Sequence, residues 1–145
     1  MVSRRGWTHD GGHFPCRYGL NNDVAAHLVS TYGMRAVDVC EMAQPTGKRC
    51  PRYGRTLVEG HPFIEAEVAY ACREYARSLK DVLSLRMRLA FLNSEAAKEI
   101  VPKVAELMGA RLGWSGRERA RQEAEAMEYV GEVGEVELAI RRGVA

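Results

Sequence analysis

SEAAKEIVPKVAELMGARL, residues 94–112, is the stretch whose reading decides the fold. Ala97, Val101, Val104, Ala105, Met108 and Leu112 recur every three or four positions, the spacing at which side chains share one face of an α-helix. Ser94 suits the start of that helix, because its hydroxyl accepts from a backbone N–H that has no helical partner. Pro102 removes one backbone donor within the run and is expected to bend it.

The same reading extends in both directions. Downstream, Ser115 and Glu118 form a capping-box pattern, and Arg119 with Glu123 and Arg121 with Glu125 make opposite-charge pairs four apart. Gly131 and Gly134 are expected to end that last helix. Upstream, Lys80 to Phe91 reads as helical, with Val82, Leu83, Leu85, Leu89 and Phe91 apolar, after a break near Ser78. Before the break, Pro62 opens a helix to about Arg77 whose stripe is Ile64, Val68, Ala71, Cys72 and Tyr75. Gln44 to His61 holds two prolines and three glycines and reads as a long loop, with a brief extended piece at Arg55 to Val58. Ahead of the loop, Asn22 caps a short helix carrying Val24, Ala25, Leu28 and Val29, Gly33 stops it, and a second short helix spans Arg35 to Ala43. The expected fold is all-α, an irregular bundle of five or six helices.

Composition narrows the function classes. The chain has 145 residues, 46% of them hydrophobic, which suits one domain with a modest core. Its net charge of +2 comes from 21 basic and 19 acidic side chains, so bulk charge gives nucleic acid no support. A helix-turn-helix reading around Gly33 fails as well, because Asp38 and Glu41 face only Arg35 on the would-be recognition helix. Cys16, Cys40, Cys50 and Cys72 form no CxxC pair; they read as reduced, mostly buried residues of an intracellular chain. No run approaches the roughly 18 apolar residues of a membrane span, and Met1 to Gly12 carries no apolar targeting core.

Chemistry-bearing constellations are few. Gly47-Lys48-Arg49 resembles a phosphate loop, but Met42 and Arg49 stand where that motif needs Gly and Ser or Thr. Lys48, Arg49, Arg52 and Arg55 form a cationic loop suited to a phosphate, a lipid head group or an acidic partner surface; a solvated loop is the alternative. His9, Asp10, His13 and Cys16 have a metal-compatible spacing, set against a loosely packed N-terminus. His27 and His61 read as packing or capping residues. Glu65, Glu67, Arg73, Glu74, Asp81, Arg86 and Arg88 read as ion pairs at helix junctions, although an acid–base site among Glu65, Glu67 and Asp81 would look alike. No GxGxxG follows a strand, so no dinucleotide pocket is expected. No catalytic, cofactor-binding or metal-binding residue is assigned.

HLVSTYG (27–33), PFIEAEVAYACREYA (62–76) and RLAFLN (88–93), with TGKR (46–49) and LMGARLGWS (107–115) in order among them, resemble the C-terminal helical domain of FAD-dependent glycerol-3-phosphate dehydrogenases, a group that includes alpha-glycerophosphate oxidase. The resemblance runs from about Tyr18 to Gly134. It implies a divergent or disordered N-terminal segment (1–17), the helical domain (18–134) and a C-terminal tail (135–145). THDGGHFPCR stands where the family has a helix, and Leu85-Arg86-Met87 stands where it has an arginine pair followed by Thr. No acidic EF-hand loop follows Gly134.

The resemblance further implies that the full enzyme oxidises glycerol 3-phosphate to dihydroxyacetone phosphate, with hydride passing to FAD and electrons on to a membrane quinone. On that reading this chain is a cap, inactive alone and binding no FAD alone, whose partner is the catalytic FAD-binding body. Nucleic acid is not a partner and a homo-oligomer stays open. The location implied is the mitochondrion, at the inner membrane, or a bacterial cytoplasmic membrane face. The alternative is a helical protein-interaction module, or a truncated remnant without activity.

Overall fold

The computed structural model describes residues 18–143, so segment 1–17, with the His9, Asp10, His13 and Cys16 group, lies outside the described residues. Among the described residues the fold is all-α, with six α-helices and no strand. They divide into two compact units, one ending at Ala66 and the other beginning at Glu67.

In the first unit, α1 (Asn22–Tyr32) buries Val24, Ala25 and Leu28. Its cap position is Asn21 rather than Asn22, and the Asn21 side chain makes no capping bond. Gly33, at φ 56°, ends α1 in a conformation that strains any residue with a Cβ. A 3-10 turn (Gly33–Arg35) then feeds α2 (Ala36–Glu41), which is shorter than the expected Arg35–Ala43 and buries Ala36, Val39 and Cys40. The following loop is closed by two isolated antiparallel bridges, Pro45 with Tyr53 and Thr56 with Ile64, the second of which begins inside the expected extended piece.

α3 spans Glu65–Arg73. Pro62 therefore precedes the helix instead of occupying its first turn, and the helix ends short of Arg77. Tyr75, expected on the apolar stripe, is exposed and adopts a left-handed φ of 68°. That conformation costs a non-glycine residue about 1–2 kcal/mol. The break near Ser78 has a clear local cause. Ser78 Oγ accepts from the Asp81 N–H at 3.2 Å while Asp81 Oδ2 accepts from the Ser78 N–H at 3.1 Å, a reciprocal capping box.

Asp81–Arg86 winds as a π-helix, marked by the Met87 N–H bonding five residues back to Val82 O at 2.9 Å. Of the apolar residues in this stretch, Val82 and Leu83 are buried, whereas Leu85 and Phe91 are exposed. The wider turn and the left-handed Arg88 (φ 58°) change the helical phase, so a period of 3.6 cannot be carried from Val82 to Phe91.

α4 (Leu89–Leu92) buries Leu89 and Ala90 and leads directly into α5 (Ser94–Leu112). The cap of α5 is Asn93, whose side chain accepts from Ala96 N; Ser94 is itself buried. Ala97, Val101, Val104, Ala105 and Met108 are buried, and the helix continues through the exposed Pro102.

α6 (Gly116–Arg141) runs past both glycines expected to stop it. It packs against α5, and a Cβ on Gly134 would lie 2.8 Å from Ser94 Oγ, so this glycine is a close-approach site between helices rather than a terminator. Ser115 Oγ accepts from the Glu118 N–H at 3.2 Å, whereas Glu118 turns its carboxylate to Arg121 and Gln122 instead of completing the box. Ser115→Ala is expected to lower stability by about 1 kcal/mol in a urea melt.

Candidate functional site

The cationic loop is the first place to look for a site. Thr46 organises it: its N–H donates to Arg52 O at 2.9 Å, and its hydroxyl accepts from the Lys48 N–H at 3.1 Å. The loop is tied to its own unit by Arg52 N–H to Gly19 O at 2.8 Å and Gly54 N–H to Gln44 O at 3.1 Å. Lys48, Arg49, Arg52 and Arg55 are all exposed, but Arg55 donates from Nε to Pro45 O at 2.6 Å and so holds the loop. The structure thus leaves Lys48, Arg49 and Arg52 on a closed turn while giving Arg55 a structural task.

His27 and His61 both meet the ring of Phe63. The His27 ring meets it edge-on at 4.8 Å, and the His61 ring stacks at 6.3 Å. Both histidines are packing residues, as the sequence implied, yet their meeting on one aromatic ring was not legible from positions 34 apart.

The charged group along 65–88 separates into distinct roles. Arg86 reaches Glu74 twice, through Nη2 to the backbone carbonyl at 2.8 Å and Nη1 to Oε2 at 3.6 Å. Asp81 serves the capping box, and Glu67 is buried. Among the described residues no group of three or more His, Cys, Asp or Glu is arranged to hold a metal ion. No described helix is long and apolar enough to cross a membrane.

The cysteines differ among themselves. Cys40 is buried, Cys72 half-buried and Cys50 exposed, so Cys50 departs from the expected burial. Burial, with Glu41 nearby, pushes the Cys40 thiol up to about 12 from 9.0. The folded thiol then keeps its proton where the unfolded one has lost it, so raising the pH from about 9 towards about 12 favours unfolding through this residue. Iodoacetamide at pH 8 is expected to label Cys50 rapidly and to spare Cys40 until the fold opens, which peptide mass mapping reads directly.

The remaining surface of note is apolar. Tyr75, Leu85, Phe91 and Leu92 are exposed in the second unit, and Val136, Leu138 and Ile140 are exposed near the end of α6. Their exposure was not foreseen in the sequence: Tyr75 fits the apolar stripe of the helix before it, and Leu85 and Phe91 read only as apolar members of a helical run.

The family model for the C-terminal domain of alpha-glycerophosphate oxidase matches residues 7–119. The chain is 55% identical over 98 residues to the mitochondrial glycerol-3-phosphate dehydrogenase of Rattus norvegicus. It is 48% identical over 118 residues to the probable mitochondrial glycerol-3-phosphate dehydrogenase of Caenorhabditis elegans, and 47% over 113 residues to the mitochondrial glycerol-3-phosphate dehydrogenase of Homo sapiens. These matches take in 68%, 81% and 78% of this chain but only 14%, 16% and 16% of the relatives' own lengths. No solved structure matches the chain.

Proposed function

Because the chain belongs to the family of the C-terminal domain of alpha-glycerophosphate oxidase, we propose that it is the helical cap of an FAD-dependent glycerol-3-phosphate dehydrogenase. The complete enzyme would oxidise glycerol 3-phosphate to dihydroxyacetone phosphate, with FAD, held by the catalytic body and not by these residues, supplying the two-electron acceptor chemistry and a quinone taking the electrons on. The compartment is the mitochondrion, at the inner membrane. The observation that carries this reading is the match to a C-terminal domain model together with identity of 47–55% to the rat, nematode and human enzymes, confined to 14–16% of their lengths.

The described residues do not fit a flavin themselves. They contain no strand running into a glycine turn, the geometry that lets a backbone approach a pyrophosphate. The chain's own contribution is a packed helical surface set against the catalytic FAD-binding body, the rest of the polypeptide in the relatives.

A chimera tests the reading. The rat enzyme with this chain replacing its matching C-terminal portion is expected to retain flavin absorbance and to oxidise glycerol 3-phosphate. A flavin-free, inactive chimera would favour the alternative, a helical interaction module with a different partner.

A further inference from the structure

Pro45 and Tyr53 pair as an antiparallel bridge, so residues 46–52 form the tip of a closed turn in the first unit. Thr46 ties that tip together from within: its N–H donates to Arg52 O at 2.9 Å, and its hydroxyl lies 3.1 Å from Lys48 N and 3.2 Å from Arg52 O. Lys48 and Arg52 are therefore gathered around one side chain, with Arg49 between them in sequence. All three are exposed, and none of their side chains has a hydrogen-bond or ion-pair partner among the described residues. Elsewhere the cations of the helices are matched: Lys98, Lys103, Arg119, Arg121 and Arg141 each reach a glutamate three or four positions away. From Met42 to Val58 the sequence holds four cations and no acid, although the net charge of the whole chain is only +2. Positive charge is thus concentrated on this tip and left uncompensated, and like charges held this close gain from an anion placed among them.

We propose that the tip binds a phosphate group through the side chains of Lys48, Arg49 and Arg52, a site that goes beyond the cap reading and does not depend on it. Side chains do the binding, because the Lys48 N–H is already engaged by Thr46 and the turn leads into no helix whose N-terminus could cradle the anion. A phosphate fits three cations crowded into residues 48–52 better than a carboxylate does. Its oxygens spread around one phosphorus, so two guanidinium forks and an ammonium can engage it from different sides, whereas a carboxylate offers a single edge. Arg55 keeps the stem in place through its bond to Pro45 O and is not one of the ligands. A soluble phosphomonoester, such as glycerol 3-phosphate, and the head group of an anionic phospholipid present the same chemistry to the tip, and experiment separates the two sources.

The 145-residue chain is titrated at constant ionic strength with inorganic phosphate and with glycerol 3-phosphate while its backbone amide resonances are recorded, and is pelleted with phosphatidylcholine vesicles with and without phosphatidylglycerol. Saturable shifts that are largest within residues 46–52 establish the site with a soluble source; pelleting that requires phosphatidylglycerol, without a soluble response, establishes it with a head group. In either case the combined variant Lys48→Gln, Arg49→Gln, Arg52→Gln is expected to weaken binding about tenfold or more, the scale of losing charge-assisted hydrogen bonds, with an unchanged melting temperature. Arg77→Gln, Arg117→Gln, Arg142→Gln removes the same charge from other exposed positions and is expected to bind as the parent does. Equal losses in the two combined variants overturn the site in favour of bulk charge. Largest shifts outside the tip, or no response to any of the probes, overturn it outright, and a lowered melting temperature of the loop variant assigns the loss to folding and overturns it as well. A tighter response to a polyglutamate peptide than to every phosphate probe overturns it in favour of an acidic protein surface.

Discussion

Leu89→Ala lowers the unfolding free energy by about 3 kcal/mol, in the middle of the range for leucine truncation in a packed core. Leu89 is fully buried and lies between the buried Met87 and Ala90. It is also the first residue of a four-residue helix, too short to hold itself together by backbone hydrogen bonding. The side chain therefore anchors α4 against its neighbours as well as filling volume. Chemical denaturation of the purified variant reads the loss as a lower midpoint, with the slope nearly unchanged. A variant as stable as the parent would mean that Leu89 is not at the centre of this unit.

Gly54→Val is expected to cost about 3 kcal/mol through two additive effects, left-handed backbone strain and overpacking. Gly54 has φ +86°, and a Cβ there would lie 2.8 Å from Leu20 Cδ2 and 3.7 Å from Ile64 Cγ2. Leu20 and Ile64 are both buried, so neither methyl has free space to move into. Gly60→Ala separates the effects: its φ is +79° but nothing lies within 4 Å, leaving a strain cost of about 1–2 kcal/mol alone. Thermal melts that rank parent, Gly60→Ala and Gly54→Val in that order of falling stability confirm the division; equal losses would remove the packing contribution.

What the sequence made legible follows the regular helices. Val101, Val104, Ala105 and Met108 are buried because α5 keeps one period along its 19 residues, and Arg119 meets Glu123 at 2.8 Å because α6 does the same. The errors gather where the period changes. The π turn and left-handed Arg88 leave Leu85 and Phe91 in solvent, although the sequence places both in one apolar helical run. Gly134 failed as a stop signal for a different reason: its missing side chain answers a contact with Ser94, 40 positions away, which no local pattern encodes. The family was legible because HLVSTYG, PFIEAEVAYACREYA and RLAFLN are long, ordered matches. The exposure of Leu85 and Leu92 was not, since exposed and buried leucines look alike until the turn geometry is known.

The uninterrupted run of α6 also gives the molecule a built-in ruler. At about 1.5 Å per residue, its 26 residues make a rod of about 39 Å. Spin labels on the exposed Arg117 and Arg141 would mark backbone points about 36 Å apart along one helix, and a narrow distance distribution would result. Because Gly131 and Gly134 lie between those points without ending the helix, the width of that distribution measures how far packing against Ser94 stiffens a glycine-bearing segment.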